Sequence, residues 1–246
     1  MTKLANKVAL VTGGSRGIGA GIVRRLAADG ADVAFTFSSS QEKADELVAE
    51  IEKLGRRAIA IKANSEIAEE VTASVEKTVE ALGKLNILVN NAGTGIWGAP
   101  DELSMEDFDK MFNINVRAQF VAIKAALKHL TQGDRIINIG SINADRMPFA
   151  KGGVYAMTKA AVQGMTRGFS RDLGPLGITI NNVQPGPINT DLNPDSGEFA
   201  DYLKTLLSVG RYGTADEVAG MVSYLASPEA GYISGSSLDI DGGFGN

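Results

Sequence analysis

KVALVTGGSRGIGAGIVRRLAADGA, residues 7–31, sets an apolar run directly before four glycines packed into seven residues, Gly13, Gly14, Gly17 and Gly19. That order predicts a strand ending at Thr12, a tight turn, and a helix whose inner face reads Ile18, Ile22 and Leu26. Such a turn aims a helix N-terminus at a ligand, where free backbone N–H groups and the helix dipole favour an anion such as a pyrophosphate. The glycines then keep side chains out of its way. The alternative is a glycine-rich turn that binds nothing. Glycine costs about 1 kcal/mol against alanine inside a helix, so Gly17, Gly19 and Gly21 in a first turn need close packing or a ligand to offset it. Within this stretch neither G-x-G-x-x-G nor G-x-x-x-x-G-K-S/T occurs, and Gly13-x-x-x-Gly17-x-Gly19 is a different phosphate turn.

Further along the chain, short β-branched runs alternate with helical stretches: VALVT (8–12), DVAFTF (32–37), RAIAIKA (57–63), NILVNNA (86–92), RIINIG (135–140), ITINNV (178–183) and SLDID (237–241). This alternation predicts an α/β fold, a doubly wound sheet of about seven parallel strands with helices on both faces. The helix over 41–54 carries an inner stripe of Leu47, Ile51 and Leu54 and is closed by Gly55; others cover 114–130 and 152–173. No repeat or linker divides residues 1–246, so one domain is expected, with a single long irregular region at about 185–213. The net charge of −5, from 24 basic and 29 acidic residues with no basic block, argues against nucleic acid and against a membrane surface as partner. A small molecule is expected instead. With no cysteine and one histidine, disulfides, thiolate chemistry and histidine-cluster metal sites are excluded, and no metal is expected. The opening MTKLAN is too short and polar for a signal peptide, and the apolar runs are strand-sized, which points to a soluble cytoplasmic protein.

Two groups of residues give this frame a chemistry. In dinucleotide folds an acidic residue about 20 positions beyond the glycines holds a ribose 2′-hydroxyl. Here the second strand ends in Phe37-Ser38-Ser39-Ser40, with no carboxylate until Glu42, and Arg16 adds a positive charge. Hydroxyls and a guanidinium suit a 2′-phosphate, so NADP(H) is favoured over NAD(H). The second group is Tyr155 and Lys159, which stand at i and i+4 on the helix 152–173, about 6 Å apart at Cβ. A phenol ionises near pH 10, and a neighbouring ammonium favours the phenolate, which makes such a pair suited to acid–base work. Ser141 follows the strand RIINIG at the strand end where ligands gather, and its hydroxyl suits a substrate carbonyl oxygen.

TGGSRGIG (12–19), NNAG (90–93), Asn115 in FNINV, Ser141, YAMTK (155–159), QPGPINT (184–190) and DGG (241–243) occur in the order and spacing of the short-chain dehydrogenase/reductase family. The chain resembles that family essentially end to end. The resemblance implies a single Rossmann-type domain, an NAD(P)(H) cofactor and a catalytic tetrad of Asn115, Ser141, Tyr155 and Lys159. It implies that Gly13, Ser15, Arg16, Gly17, Ile18 and Gly19 hold the phosphates with Ser38 beyond them, and that Asn91, Ala92 and Gly93 lie along the cofactor. Pro185, Gly186, Ile188 and Thr190 would wrap its nicotinamide end, where Lys159 also holds the ribose. Where many members have an aspartate after the third strand, this chain has Asn64 and Ser65, so adenine is held differently. The resemblance further implies that hydride passes to a ketone or 3-oxoacyl carbonyl, that Ser141 steadies the oxygen and Tyr155 delivers the proton, that Asn115 orders a helix and a water relaying protons to Lys159, and that the chain assembles as a homotetramer.

A substrate lid is expected at about 188–212, and Trp97, Asn143, Met147, Tyr202 and Leu206 are candidate pocket residues, with Phe199 and Leu203 beside them. Asn143, Asp145 and Arg146 either shape the substrate mouth or form a surface loop. His129 sits near the end of an apolar helix, where a cation complements the dipole, and that role is favoured over catalysis because no nucleophile motif accompanies it. One further resemblance bears on function. GSINADRMP and QPGPINTDLNP are similar to a branch of the same family linked to biofilm dispersal through cyclic di-GMP binding, with Arg16, Arg146 and Asn64 as its supports.

Overall fold

The computed structural model describes residues 2–246. Its strands are β1 (Val8–Val11), β2 (Asp32–Phe37), β3 (Ala58–Lys62), β4 (Ile87–Asn90), β5 (Arg135–Ile139), β6 (Thr179–Pro185) and β7 (Ser237–Ile240). The helices are α1 (Gly17–Ala28), α2 (Gln41–Lys53), α3 (Ala68–Leu82), α4 (Met105–Phe112), α5 (Ala118–Ala126), α6 (Gly153–Leu173), α7 (Glu198–Thr205) and α8 (Ala215–Ala226). All strand pairs are parallel, in the order β3-β2-β1-β4-β5-β6-β7.

Successive residues of a strand face opposite sides of the sheet, and here both sides are dry. Ala9 and Val11 of β1 join Val33 and Phe35 of β2 under α1, α2 and α8, through Ile22, Leu26, Leu47, Ile51 and Val222. Val8 and Leu10 face the other way with Leu88 and Ile136, under α3 and α5 through Val75, Ala122 and Ile123. The result is the doubly wound, single Rossmann-like domain. After β3 the chain crosses back to place β4 on the far side of β1, so the strand order reverses there. A crevice opens at the carboxyl ends of β1 and β4, the switch point where ligands of such sheets bind.

Three details depart from the sequence expectations. Leu54 lies outside the inner stripe of α2, being 52% exposed, and Ala44 takes the third buried place with Leu47 and Ile51. The helix expected over 114–130 begins earlier: Ser104 caps α4 by accepting the Asp107 N–H at 3.0 Å, and a π-helical segment, Asn113–Arg117, joins α4 to α5. Few residues of α4 are buried, which hid its periodicity. The long irregular region contains α7, whose Ala200 and Leu203 pack with Leu207, Tyr212, Ile142 and Phe244 in a third apolar cluster. Among the described residues no helix is long and apolar enough to cross a membrane.

Gly21 faces α8, and a Cβ there would lie 2.9 Å from Cβ of Ala215. Gly21→Ala is therefore expected to pry the two helices apart and cost about 1–3 kcal/mol. An unchanged urea midpoint would refute the close packing of α1 on α8.

Candidate active site

The turn between β1 and α1 is held by strand-end side chains. The Thr12 hydroxyl accepts the N–H groups of Asn91 at 2.9 Å and Ala92 at 3.0 Å. In return, Nδ2 of Asn91 donates to the carbonyls of Thr12 and Gly13, both at 2.9 Å, and the Gly13 N–H donates to the Thr36 hydroxyl at 2.9 Å. Gly13 and Gly17 adopt φ of +64° and +54°, the left-handed region that disfavours side chains. A Cβ on Gly14 would lie 2.5 Å from Cβ of Phe35, and one on Gly19 would strike the Gly13 carbonyl oxygen. The chain's own atoms thus exclude side chains from Gly14, Gly19 and Gly21. Of the two compensations the sequence offers, close packing or a ligand, close packing is present at these three.

Above the turn lies an open cleft of about 580 Å³. Gly13, Ser15, Arg16, Gly17, Ile18 and Gly19 line its floor, Ser38 and the paired Asn64 and Ser65 one end, and Asn91, Ala92, Gly93 and Thr190 its wall. Thr36, Phe37, Thr94, Ile114 and Leu192 also line it, residues that the motifs do not single out. Arg16 is exposed at the N-cap of α1. Asp191 pairs with Lys43 at 2.8 Å, and that ion pair with the nearby Arg16 holds its carboxyl below the usual carboxylate range. Pro185, Gly186 and Ile188 are not in the lining. Gly186 packs on Asp241, and Ile188 is buried in the apolar cluster beneath α1 and α8.

The remaining residues meet where β4 and β5 run into α6. Asn115, in the π-helical segment, is fully buried and spends its whole amide. Its Oδ1 accepts the Thr94 N–H at 2.8 Å, and its Nδ2 donates to the Thr94 carbonyl at 2.8 Å and to the Thr158 hydroxyl at 3.0 Å. Thr158 in turn donates to the Tyr155 carbonyl at 2.7 Å. Lys159 is buried, with Nζ donating to the Ile139 carbonyl at 3.1 Å and lying 5.6 Å from the Tyr155 ring centroid. Ser141 is buried at the end of β5, its hydroxyl accepting the Asn143 N–H at 3.1 Å.

Beside Tyr155 an aromatic row has formed. Trp97 lies 5.2 Å from the Tyr155 ring and 5.6 Å from Phe149, which meets Phe199 of α7 edge-on at 5.4 Å. Gly95 and Gly152 leave room for the indole, and Met147 presses on Gly152 from the other side. Phe149 escaped the sequence reading because only loop closure brings it to Trp97. Of the other two pocket candidates, Tyr202 is 46% exposed and Leu206 packs against the cluster of Leu203, Leu207 and Phe244. Arg146 forms neither a mouth nor a free surface. Its guanidinium donates to the Phe244 carbonyl at 2.5 Å and to that of Asn246, and stacks 5.9 Å from the Phe244 ring. His129 meets Glu76 of α3 at 2.8 Å. Among the described residues no group of three or more His, Asp or Glu could hold a metal ion.

A switch-point cleft over a glycine turn, with a buried lysine one helical turn beyond a tyrosine, defines a dinucleotide-fold oxidoreductase. The family model described as enoyl-(acyl carrier protein) reductase matches residues 13–245, and the chain belongs to the short-chain dehydrogenase/reductase family. It is 46% identical over 245 residues to the cyclic-di-GMP-binding biofilm dispersal mediator protein of Escherichia coli strain K12, covering 100% of both chains. It is also similar to a solved short-chain dehydrogenase/reductase from Serratia marcescens BCRC 10948, at 53% identity and a TM-score of 0.98 over 99% of this chain and 100% of that one. A short-chain dehydrogenase from Burkholderia cenocepacia J2315, solved in complex with NADP, matches at 51% identity and TM-score 0.98 over the same shares, 99% and 100%.

Replacing Asn115 by alanine would strand the Thr94 N–H and carbonyl in a buried setting. A loss of about 3 kcal/mol of stability is expected from such unpaired groups, read as a lowered thermal midpoint.

Proposed function

We propose that the chain reduces a ketone or 3-oxoacyl carbonyl to the alcohol, reversibly, with NADPH as the hydride source. The observation that carries this reading is the buried Lys159, which lies 5.6 Å from the Tyr155 ring centroid, bonds the carbonyl two residues before Ser141 and sits beside Gly93 in the wall of a cleft floored by a glycine turn. The cleft fits a dinucleotide. Backbone N–H groups at the α1 N-terminus suit a pyrophosphate, Ser38 to Ser40 and the exposed Arg16 suit a 2′-phosphate, and β2 ends without a carboxylate. The NADP complex of the Burkholderia relative supports the same choice. Lys43, by holding Asp191, offsets one of the two carboxylates in the cleft lining, the other being Glu66.

When bound, the cofactor supplies a hydride to the carbonyl carbon. Everything else falls to the chain. Ser141 donates a hydrogen bond to the carbonyl oxygen, and Tyr155 gives that oxygen its proton as the C–H bond forms. The Lys159 ammonium steadies the charge left on the phenol, held in place by the Ile139 carbonyl. Asn115 fixes the Thr94 backbone and, through Thr158, the first turn of α6 that carries Tyr155. Trp97, Phe149 and Phe199 offer an apolar wall to the substrate, with residues 188–212 as its lid. The protein acts in the cytoplasm as a homotetramer, an assembly supported by Phe120 and Leu127, which leave apolar surface on and beside α5.

The E. coli relative's name supports a second reading, a nucleotide-binding regulator that recognises cyclic di-GMP. Its phosphates would sit on the same glycine turn. Arg146 does not serve it, being engaged by the Phe244 and Asn246 carbonyls.

NADPH oxidation followed with a panel of ketones and acetoacetyl thioesters separates the two. Turnover should exceed that with NADH, and Tyr155→Phe should lower kcat by about a hundredfold or more, the range of a lost general acid. No turnover on any substrate, with saturable binding of cyclic di-GMP in a titration, would sink the reductase and uphold the regulator.

A further inference from the structure

Behind Ser141 lies a polar cluster that the proposed reaction does not use, two buried glutamines set between the exposed residues Asp145 and Asp239. Asp145 ends the short 3-10 turn that Ser141 begins, the two ends being joined by Ala144 N–H to the Ser141 carbonyl at 3.0 Å and Asp145 N–H to the Ile142 carbonyl at 2.9 Å. The turn is therefore a small rigid body with the Ser141 hydroxyl at one end and the Asp145 carboxylate at the other.

That carboxylate is gripped from two other elements. Its Oδ2 accepts Nε2 of Gln163 on α6 and Nε2 of Gln184 on β6, both at 2.7 Å. The two glutamines are joined to each other, Gln163 Nε2 donating to Gln184 Oε1 at 2.6 Å. Gln184 Nε2 also donates to Asp239 Oδ1 of β7 at 2.7 Å, and Asn182 Nδ2 donates to Gln184 Oε1 at 3.1 Å. Gln184 and Gln163 are 1% and 7% exposed. Buried amide donors without acceptors would each cost about 1–3 kcal/mol, so the cluster holds its geometry rather than tolerating a drift of its members. It also reaches the backbone just before Ser141, where a Cβ on Gly140 would lie 2.5 Å from Oδ1 of Asn182.

Gln163 stands on the same helix as Tyr155, two turns further along and one turn past Lys159. Lys159 already ties α6 to the end of β5 through the Ile139 carbonyl. We propose that Asp145, clamped by Gln163 and Gln184, is a positioning residue that sets the Ser141 hydroxyl at its working distance from Tyr155. This rests on the reductase reading for its consequence and on the hydrogen-bond geometry for its mechanism. Lys159 reaches only the end of β5, while Ile142 and Arg146 tie the Ser141 turn to the third apolar cluster and the C-terminal residues. The clamp is the tie that joins this turn to α6 itself. Misplacement of a reacting group by about 1 Å costs on the order of a hundredfold in rate, so this tie acts on turnover and not on cofactor affinity.

The test pairs kinetics with amide hydrogen exchange on the full-length protein. Asp145→Ala and Gln163→Leu are each expected to lower kcat by about tenfold or more while the NADPH dissociation constant stays within about twofold, and the double variant to be no worse than either single. Asp145→Asn, whose Oδ1 still accepts both glutamine amides, should keep kcat within about threefold of the parent. In Asp145→Ala, exchange at the Ala144, Asp145 and Arg146 amides should quicken while the amides of the glycine turn stay unchanged. Parental kcat in Asp145→Ala, or additive losses in the double variant, would overturn the proposal. A parent that turns over no carbonyl substrate defeats the reductase reading instead, and exchange at residues 144–146 then decides the clamp: unchanged protection in Asp145→Ala overturns it.

Discussion

Asn91 holds the two halves of the sheet at one spacing. Its backbone N–H and side-chain amide span from the end of β4 to Thr12 and Gly13 at the end of β1, across the point where the strand order reverses. The parallel strands on either side diverge into loops there, and without that staple the glycine turn would have neither floor nor fixed height. Given it, Gly19 can only be glycine, because Asn91 and the Gly13 carbonyl occupy the space of a Cβ. The position of the α1 N-terminus, and so the shape of the cleft above it, follows from this packing.

The polar residues inside the molecule continue the same principle. Asn115 pairs with the Thr94 backbone and Thr158, Lys159 with the Ile139 carbonyl, and Gln163 and Gln184 with Asp145. Each joins a strand end or loop to α6. Hydrogen bonds in dry surroundings are directional and costly to break, whereas apolar packing on the two sheet faces tolerates small slides. The sheet thus fixes the architecture, and the polar ties fix distances between side chains on different elements.

The strand segments were legible in the sequence because burial on both faces leaves unbroken β-branched runs, as in Val8 to Val11 and Arg135 to Ile139. The glycine turn was legible as a turn, but the packing around it was not. Crowding by Phe35 and Ala215 comes from elements further along the chain, and no local pattern records it. Phe149 beside Trp97 escaped for the same cause, as did the π-helical segment that carries Asn115. Asp145 and Arg146 are neighbours of similar polarity, yet one turns inward to two glutamines and the other to the Phe244 and Asn246 carbonyls. Sequence could place both in a loop after Ser141 but not assign them opposite partners.

The grip of Arg146 on Phe244, and of Gln184 on Asp239, divides the site along the chain. The hydrogen bonds that brace the glycine turn lie within the first ninety or so residues, up to Asn91 and Ala92. The turn bearing Ser141 takes part of its support from residues 239–246. The part of the site suited to grasp a ligand is thus braced near the beginning of the chain, and the part suited to act on it is braced at the end.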